Sequence, residues 1–205
     1  MNVKQRKCYG IVKRCLICSA LASLSYVSNA TIDLGVGEFL NGMEGKGIEN
    51  EIQELSGLGS DLDNYSEVNI TNAKFSSATI VQNSGGIEAG NKARVSQQGF
   101  SNKARVVQQG ESNVAIVRQS GAGNRADIVS YGVGNEAVIV QEGYLNRAVI
   151  GQASLGSSSI SVNQEGNRNV ALVGRIGSAN IGINQSGGDS IYITPASNIQ
   201  IQVNQ

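Results

Sequence analysis

The sequence predicts an all-β protein, a β-solenoid of stacked strand-turn-strand rungs preceded by a Gly-rich acidic N-terminal leader. The first observation behind this prediction is a motif, Asn-x-Ala-x-Val/Ile-x-Gln-x-Gly, that recurs every eleven residues from residue 91 to residue 152. The second is that the repeated residues occupy alternate positions, which is the period of a β-strand and not of a helix. A unit this short cannot bury a face alone, so it must stack on copies of itself.

The face of each strand that repeats is expected to point into a narrow interior filled by Ala, Val and Ile. Two strand-turn units form one rung of about 22 residues, so alternate copies lie above one another at the ordinary strand spacing of about 4.8 Å. Asn91 then stacks on Asn113, and their side-chain amides can hydrogen-bond along the stack. The predicted ladder residues are Asn91, Asn102, Asn113, Asn124, Asn135, Asn146, Gln82, Gln97, Gln108, Gln119, Gln141, Gln152, Gln164 and Gln185.

The turns between strands are expected at glycines that follow the Gln position by two residues. Glycine adopts positive φ angles without a steric penalty, which such turns need. The predicted turn glycines are Gly99, Gly110, Gly121, Gly132, Gly143 and Gly166.

The chain divides into three predicted segments. Residues 1–30 have the features of a signal peptide, with a basic start, an apolar stretch and a small-x-Ala site at Ser28 to Ala30. Residues 31–73 form the acidic leader, and residues 74–205 form the solenoid, whose repeats are degenerate from about residue 155. All three cysteines lie before residue 31, so a secreted mature chain would use neither disulfides nor thiol chemistry.

The leader is strongly acidic, whereas the repeats are mildly basic. Residues 31–70 carry nine acidic side chains, and Lys46 is their only basic one. Removal of residues 1–30, which hold five basic and no acidic residues, leaves 11 basic against 16 acidic residues and a net charge of −5. This composition is typical of a flexible segment that makes its own contacts, as a secretion address, a solubilising tether or a cap.

The composition argues against an enzyme and against a metal or cofactor site. The chain has no His, and its repeats contain neither a nucleophile-base pair nor clustered carboxylates. Asp127 and Glu136 fall at outward positions and are interpreted as solvated surface charges. The sequence thus predicts no catalytic residue, no metal ligand and no cofactor.

Basic side chains recur at outward positions of the strands. One interpretation is that they maintain solubility and discourage wrong strand pairing. The other is that they bind acidic polymers or a charged partner strand. The few aromatic residues and the net negative charge argue against nucleic acid as a specific target. The residues concerned are Lys92, Arg94, Lys103, Arg105, Arg118, Arg125 and Arg147.

The pattern Ser-x5-Gln at Ser76 to Gln82, with Asn-x-Ala-x3-Gln at Asn91 to Gln97, resembles the curlin repeat. The resemblance covers roughly residues 74 to 187. Curlins are secreted subunits of functional amyloid fibres on Gram-negative bacterial surfaces. The resemblance therefore implies export across the inner membrane, passage through an outer-membrane curlin pore, and cross-β polymerisation outside the cell as a curli fimbrium (a pilus). It also implies roles in adhesion, in the biofilm matrix and in host contact.

Curlin systems have a major subunit that forms the fibre body and a minor one that nucleates the fibre and holds it to the cell. This chain resembles the minor subunit more, because basic side chains recur and the last copies lose Gln-x-Gly. Ser130 and Arg175 depart from the pattern by replacing ladder Gln residues. The alternatives are a major curlin subunit and a soluble, capped β-solenoid adhesin. The implied partners are other curlin subunits, the outer-membrane curli secretion and assembly machinery, and host matrix or acidic polymers.

Overall fold

The computed structural model describes residues 48–58, 64–85, 89–194 and 200–204, and within these ranges it confirms the predicted all-β solenoid. Among these described residues, one helix, α1 (Ile48–Gly57), precedes thirteen strands. These are β1 (Tyr65–Lys74), β2 (Ser77–Asn83), β3 (Lys92–Phe100), β4 (Lys103–Glu111), β5 (Val114–Ala122), β6 (Arg125–Val133), β7 (Asn135–Tyr144), β8 (Arg147–Ser154), β9 (Ser158–Asn167), β10 (Val170–Ile176), β11 (Asn180–Ser186), β12 (Ser190–Ile193) and β13 (Gln200–Asn204).

The strands alternate between two parallel sheets along the chain. The odd-numbered strands form a seven-stranded sheet in the order β1-β3-β5-β7-β9-β11-β13, called the odd sheet below. The even-numbered strands form a six-stranded sheet from β2 to β12, called the even sheet. Each strand therefore pairs with the strand two positions away in sequence, which is the arrangement of a two-sided solenoid. The edge strands are β1 and β13 in the odd sheet, and β2 and β12 in the even sheet.

The core is the repeated face of both sheets, as the two-residue period predicts. Ala93 pairs with Ala115, which pairs with Ala137, so the same residue type occupies one column of the stack. The Val/Ile column behaves in the same way. Both columns are fully or almost fully buried in the central strands. Because small and β-branched side chains alternate, the two sheets fit closely without aromatic residues.

The solenoid begins at Tyr65, earlier than the residue 74 predicted from the repeat. Strand β1 lies almost entirely within the predicted leader and pairs with β3 in one register from Tyr65 to Thr71, with a register shift before Lys74. Val68 occupies the Val column, but Ile70 stands where the other copies carry Gln. Because β1 lacks the Gln and the turn glycine, its sequence does not show the repeat, although its backbone continues it.

The strand order is preserved where the repeat slips. Strand β9 pairs with β7 so that Ser158 lies beside Asn135 and Gln164 beside Gln141. The extra residue is taken up in the turn after β8, where the Ser154 Oγ accepts a hydrogen bond from the Gly156 amide at 3.1 Å. Leu155 projects from this turn and is 89% exposed. The insertion is thus absorbed outside the sheets, and the core columns stay continuous.

The predicted turn glycines all have positive φ angles, between +90° and +115°. They also lie against one another in successive rungs. A Cβ atom on Gly121 would lie 2.1 Å from the carbonyl oxygen of Gly143, which is far inside van der Waals contact. Glycine is therefore required at this position both for backbone conformation and for space.

A second left-handed position, not predicted from the sequence, lies immediately before the Asn column. Its occupants have φ between +54° and +80°, but they share no residue type. No repeated residue marks this position because most of its occupants are not glycine, and each non-glycine residue there accepts a cost of roughly 1–2 kcal/mol. The residues are Phe75, Ser101, Ser112, Gly123, Gly134, Leu145, Arg168 and Gly188.

Part of the predicted leader is an ordered helix on the outer face of the odd sheet. In α1, Ile52 and Leu55 are almost completely buried. They form a second hydrophobic cluster with side chains of β5 and β7, namely Val114, Ile116, Val138 and Val140. These apolar sheet residues alternate with the repeated inward positions and therefore point outward, where the helix covers them.

The predicted signal peptide, its cysteines and most of the acidic leader lie outside the described residues. Within the described part of the chain, no helix is long and apolar enough to span a bilayer.

We expect the substitution Gly121→Ala to lower the free energy of unfolding by at least about 2 kcal/mol, because it adds backbone strain and a clash with Gly143. Urea unfolding of freshly prepared monomer, followed by circular dichroism, measures the loss. Gly151→Ala is the matched control, since Gly151 has no positive φ and its added Cβ would come no closer than 3.9 Å to its nearest neighbour. Equal losses in the two variants would contradict the proposed requirement for glycine.

Candidate functional site: ladders, edges and outer faces

The Gln residues of the odd sheet form a continuous, directional ladder. The Nε2 of Gln97 donates to the Oε1 of Gln119 at 2.7 Å, and Gln119 donates to Gln141 at 2.8 Å. The chain of bonds continues through Gln164 to Gln185, each at 2.8 Å. The first four amides of this column therefore each donate toward the C-terminal end of the stack, and the last acceptor is Gln185.

Each ladder Gln also ties the two sheets together. The Nε2 of Gln119 donates its second hydrogen to the carbonyl oxygen of Lys103 in the even sheet at 3.1 Å. Gln141 makes the same bond to Arg125, also at 3.1 Å. One buried side chain thus holds the axial register and the spacing between the sheets.

The ladder of the even sheet is interrupted where the repeat departs from Gln. Gln82 donates to Gln108 at 2.9 Å. Ser130 follows in the column, and Gln152 reaches its hydroxyl only at 3.5 Å. Arg175 occupies the next position, where it is buried and donates to the carbonyl oxygen of Ser178 at 2.7 Å. Both replacements were noted in the sequence, and the structure shows that each breaks the ladder.

The Asn column closes the turns. In the odd sheet the Nδ2 of Asn113 donates to the Oδ1 of Asn91 at 2.8 Å and to the carbonyl oxygen of the turn residue Gly132 at 2.9 Å. Asn135 donates in turn to Asn113 at 2.8 Å. In the even sheet, the backbone amides of Asn124 and Asn146 each donate to the Asn one rung below at 3.0 Å. These bonds lock each turn onto its neighbour.

The two ladders end differently at the N-terminal edge of the stack. In the odd sheet, the buried Oε1 of Gln97 has no hydrogen-bond donor, because Ile70 occupies the Gln position of the edge strand. In the even sheet, Gln82 lies on the edge strand β2 itself. Among the described residues none donates to its Oε1, so the even-sheet ladder reaches the edge with an open acceptor.

The basic residues on the outer face of the odd sheet bind α1. Arg94 pairs with Glu54 at 3.1 Å, and Arg118 pairs with Glu51. The ammonium group of Lys92 donates to the carbonyl oxygen of Leu58, just beyond the C-terminal end of the helix, where a cation is favoured. Burial lowers the pKa of Lys92. The sequence left open whether these cations bind an acidic partner, and on this face the partner is the chain's own leader.

Asp127 and Glu136, interpreted from the sequence as solvated charges, are both buried. Asp127 accepts hydrogen bonds from Arg105 at 3.0 Å and from Arg125 at 2.9 Å. Glu136 lies on the outer face of the odd sheet, and its Oε1 has no hydrogen-bond partner. Burial raises the pKa of Glu136 to about 7. The alternation of inward and outward positions along a strand correctly predicted that these side chains point outward. It could not show what covers them.

The outer face of the even sheet is open to solvent. Its cations Lys103, Arg125 and Arg147 are exposed and share one column. On the same face, Val129 is 38% exposed and Tyr131 is 55% exposed. No described part of the chain covers this face as α1 covers the other.

An open cleft of about 690 Å³ lies on the turns near the C-terminal end of the stack, lined mainly by Tyr144, Leu145, Asn167 and Arg168 with neighbouring glycines. In the part of the chain that the structure describes, no three or more His, Cys, Asp or Glu side chains are grouped so as to hold a metal ion.

Comparison with known families supports the curlin interpretation. Residues 101–132, which span β4, β5 and most of β6, match the family model described as "Curlin associated repeat". This repeat and the β-solenoid together fit a curlin-type subunit. Comparisons with curated proteins and with solved structures gave no match.

We expect Gln119→Ala to lower the free energy of unfolding by roughly 2–4 kcal/mol, because it removes ladder and cross-sheet bonds and leaves the Oε1 of Gln141 buried without a donor. Urea unfolding of monomer measures the effect. Gln98→Ala is the control, since Gln98 is an exposed Gln in the same sheet and should change stability by less than about 0.5 kcal/mol. Similar values for both variants would rule out a stabilising ladder.

The buried carboxyl of Glu136 predicts a pH dependence of stability. Between its ordinary pKa of 4.5 and its folded pKa of about 7, the folded protein keeps a proton that the unfolded chain has released. Stability should therefore fall as pH rises from 4.5 to 7 and then level off. Glu136→Gln should flatten this contribution and raise stability at pH 8 by on the order of 3 kcal/mol.

Urea unfolding at several pH values, compared with the parent chain, measures this contribution. Glu142→Gln, an exposed position on the same strand, is the control. A parent-like pH profile for Glu136→Gln would show that Glu136 does not cause the dependence.

Proposed function

We propose that this protein is a secreted curlin-type subunit that polymerises as cross-β amyloid in cell-surface curli fibres, and that it acts as the minor subunit which nucleates and anchors the fibre. In this role its activity is templating. An incoming subunit pairs its backbone with an exposed edge strand and extends the side-chain ladders.

The observation that carries the proposal is that the strands of the stack are paired on both sides except at its ends. Every described strand between the edges has two parallel partners, and in the odd sheet Gln119, Gln141 and Gln164 each accept from one Gln and donate to the next. The same groups on an edge strand have a partner on one side only. Gln82 on β2 presents an unused amide oxygen, which the Nε2 of a Gln from an incoming subunit can fill.

The unequal ends favour a nucleating subunit over a fibre-body subunit. A fibre-body subunit must add equally well at both edges, so both should carry the full repeat. Here β1 places Ile70 in the Gln column, and Arg175 replaces Gln near the other end. One edge strand, β2, retains Ala78, Ile80 and Gln82 at the Ala, Ile and Gln positions of the pattern, with Ser76 at the preceding Asn position.

Such a subunit works outside the cell and depends on export and on partner proteins. The segment 1–30 directs export, and the mature chain from Thr31 passes the outer membrane through the curli secretion machinery. Its partners are the major curlin and the assembly proteins at the cell surface. Adhesion, the biofilm matrix and contact with host matrix are the proposed settings of the fibre.

A seeding assay tests this function. Trace amounts of residues 31–205 are added to freshly prepared major curlin from the same cell, and thioflavin fluorescence records the lag time. We expect a sharply shortened lag. Gln82→Ala, which removes the open acceptor at the edge, should restore much of the lag, whereas the exposed Gln98→Ala should not.

Two outcomes would replace the proposal with its alternatives. An unchanged lag together with rapid self-assembly of this chain would make it a major fibre subunit. A stable monomer that neither seeds nor assembles would favour a capped β-solenoid adhesin.

A further inference from the structure

The two outer faces of the solenoid combine charged and apolar side chains in a similar way, but among the described residues a helix covers only the face of the odd sheet. The outer face of the odd sheet combines cations from β3 and β5 with apolar side chains from β5 and β7. The acidic amphipathic helix α1 lies on it. The outer face of the even sheet also combines cations with apolar side chains, and it faces solvent.

The cations of the even sheet form a regular row. Lys103 pairs with Arg125, and Arg125 with Arg147, at the same position of β4, β6 and β8. Their spacing along the stack is therefore about 4.8 Å per strand. No carboxylate among the described residues pairs with Lys103 or Arg147. Like charges held this close are unfavourable unless an anionic partner lies across them.

An apolar row runs parallel to the cation row on the same face, separated from it by the column of Thr79, Arg105, Asp127 and Val149. Val81, Val107 and Val129 occupy one column of the same face, and Tyr131 lies at its edge. Val81 is 52% exposed, well above what a buried strand face shows. A contiguous exposed apolar patch bordered by polar groups marks an interaction surface.

The odd sheet shows which ligand such a face accepts. There the apolar side chains Ile52 and Leu55 pack against three valines and one isoleucine of β5 and β7, while Glu51 and Glu54 reach cations on β5 and β3. The ligand is a short helix with one apolar face and an acidic border. Charge complementarity and the apolar row make the even face suited to the same kind of segment.

We propose that the outer face of the even sheet is a docking surface for an acidic amphipathic segment of a partner protein. The apolar face of the segment covers Val107 and Val129, and its carboxylates pair with Lys103 and Arg147. This function is distinct from templating, because it uses a sheet face and leaves both sheet edges free.

A simple polyanion fits this face less well. Asp127 lies within it, held between Arg105 and Arg125, and offsets part of the positive charge. A ligand that only carries negative charge would leave the valine row in water, whereas an amphipathic segment covers both features.

The test uses a labelled peptide with the sequence of residues 48–58, stapled between positions 53 and 57, which are exposed in α1 and remain clear of the contact. The staple is needed because an isolated helix this short is marginal in water. Fluorescence anisotropy measures its binding to the mature monomer, residues 31–205. We expect saturable binding that the double variant K103E/R147E weakens at least tenfold.

A matched charge control is K74E/R168E, which makes the same charge change at exposed positions outside this face and should leave affinity within about twofold. A peptide of the same composition with scrambled order should bind at least tenfold more weakly. The proposal would be overturned if both double variants lost affinity equally, or if the scrambled peptide or polyglutamate bound as well as the native peptide. The absence of binding at millimolar peptide would also overturn it. Val129→Asp gives a second measurement and should weaken binding without removing any cation.

Discussion

Buried side-chain amides are the constraint on which this structure depends. Each Gln of the odd-sheet ladder is enclosed between two sheets, where water cannot complete its hydrogen bonds. An unpaired amide there costs roughly 1–3 kcal/mol. The partner that fits is the same residue one rung away, together with a carbonyl of the facing sheet. A slip of one residue would turn each Gln outward and each charged side chain inward, so the ladders and the hydrophobic columns specify a single register.

The turns follow from the same constraint. If strands stack in register at the closest spacing, the turns must stack as well, and a side chain on the inside of one turn meets the carbonyl oxygen of the next. Glycine removes that clash at Gly121 and its equivalents. The Asn side chains then satisfy the carbonyls that the turns expose, as Asn113 does for Gly132. The repeat therefore specifies a stack in which strands and turns share one register.

The part of the fold that depends on repetition could be predicted from the sequence, and the part that depends on a single copy could not. The periods of two and eleven residues predicted the strands, the core columns, the ladders of Gln97 and Asn91, and the turn glycines. Strand β1 was missed because Ile70 stands at the position where the other copies carry Gln. Helix α1 was missed because its two buried residues, Ile52 and Leu55, lie in an acidic, Gly-rich stretch. Glu136 was interpreted as solvated because alternation along a strand shows which way a side chain points. It does not show whether another element packs over that side chain.

The division of labour between the two strand faces explains where function can vary. The inner face must match its own copies, so a substitution there disrupts two neighbouring rungs, as Ser130 does in the even-sheet ladder. The outer face is not enclosed between the two sheets, so its side chains can change from strand to strand without loss of register. Self-recognition is thus confined to the interior and the edges, and recognition of anything else must be built on the outer faces. The outer face of the odd sheet binds the acidic helix α1. The outer face of the even sheet has a similar combination of cations and apolar side chains, and these are exposed to solvent.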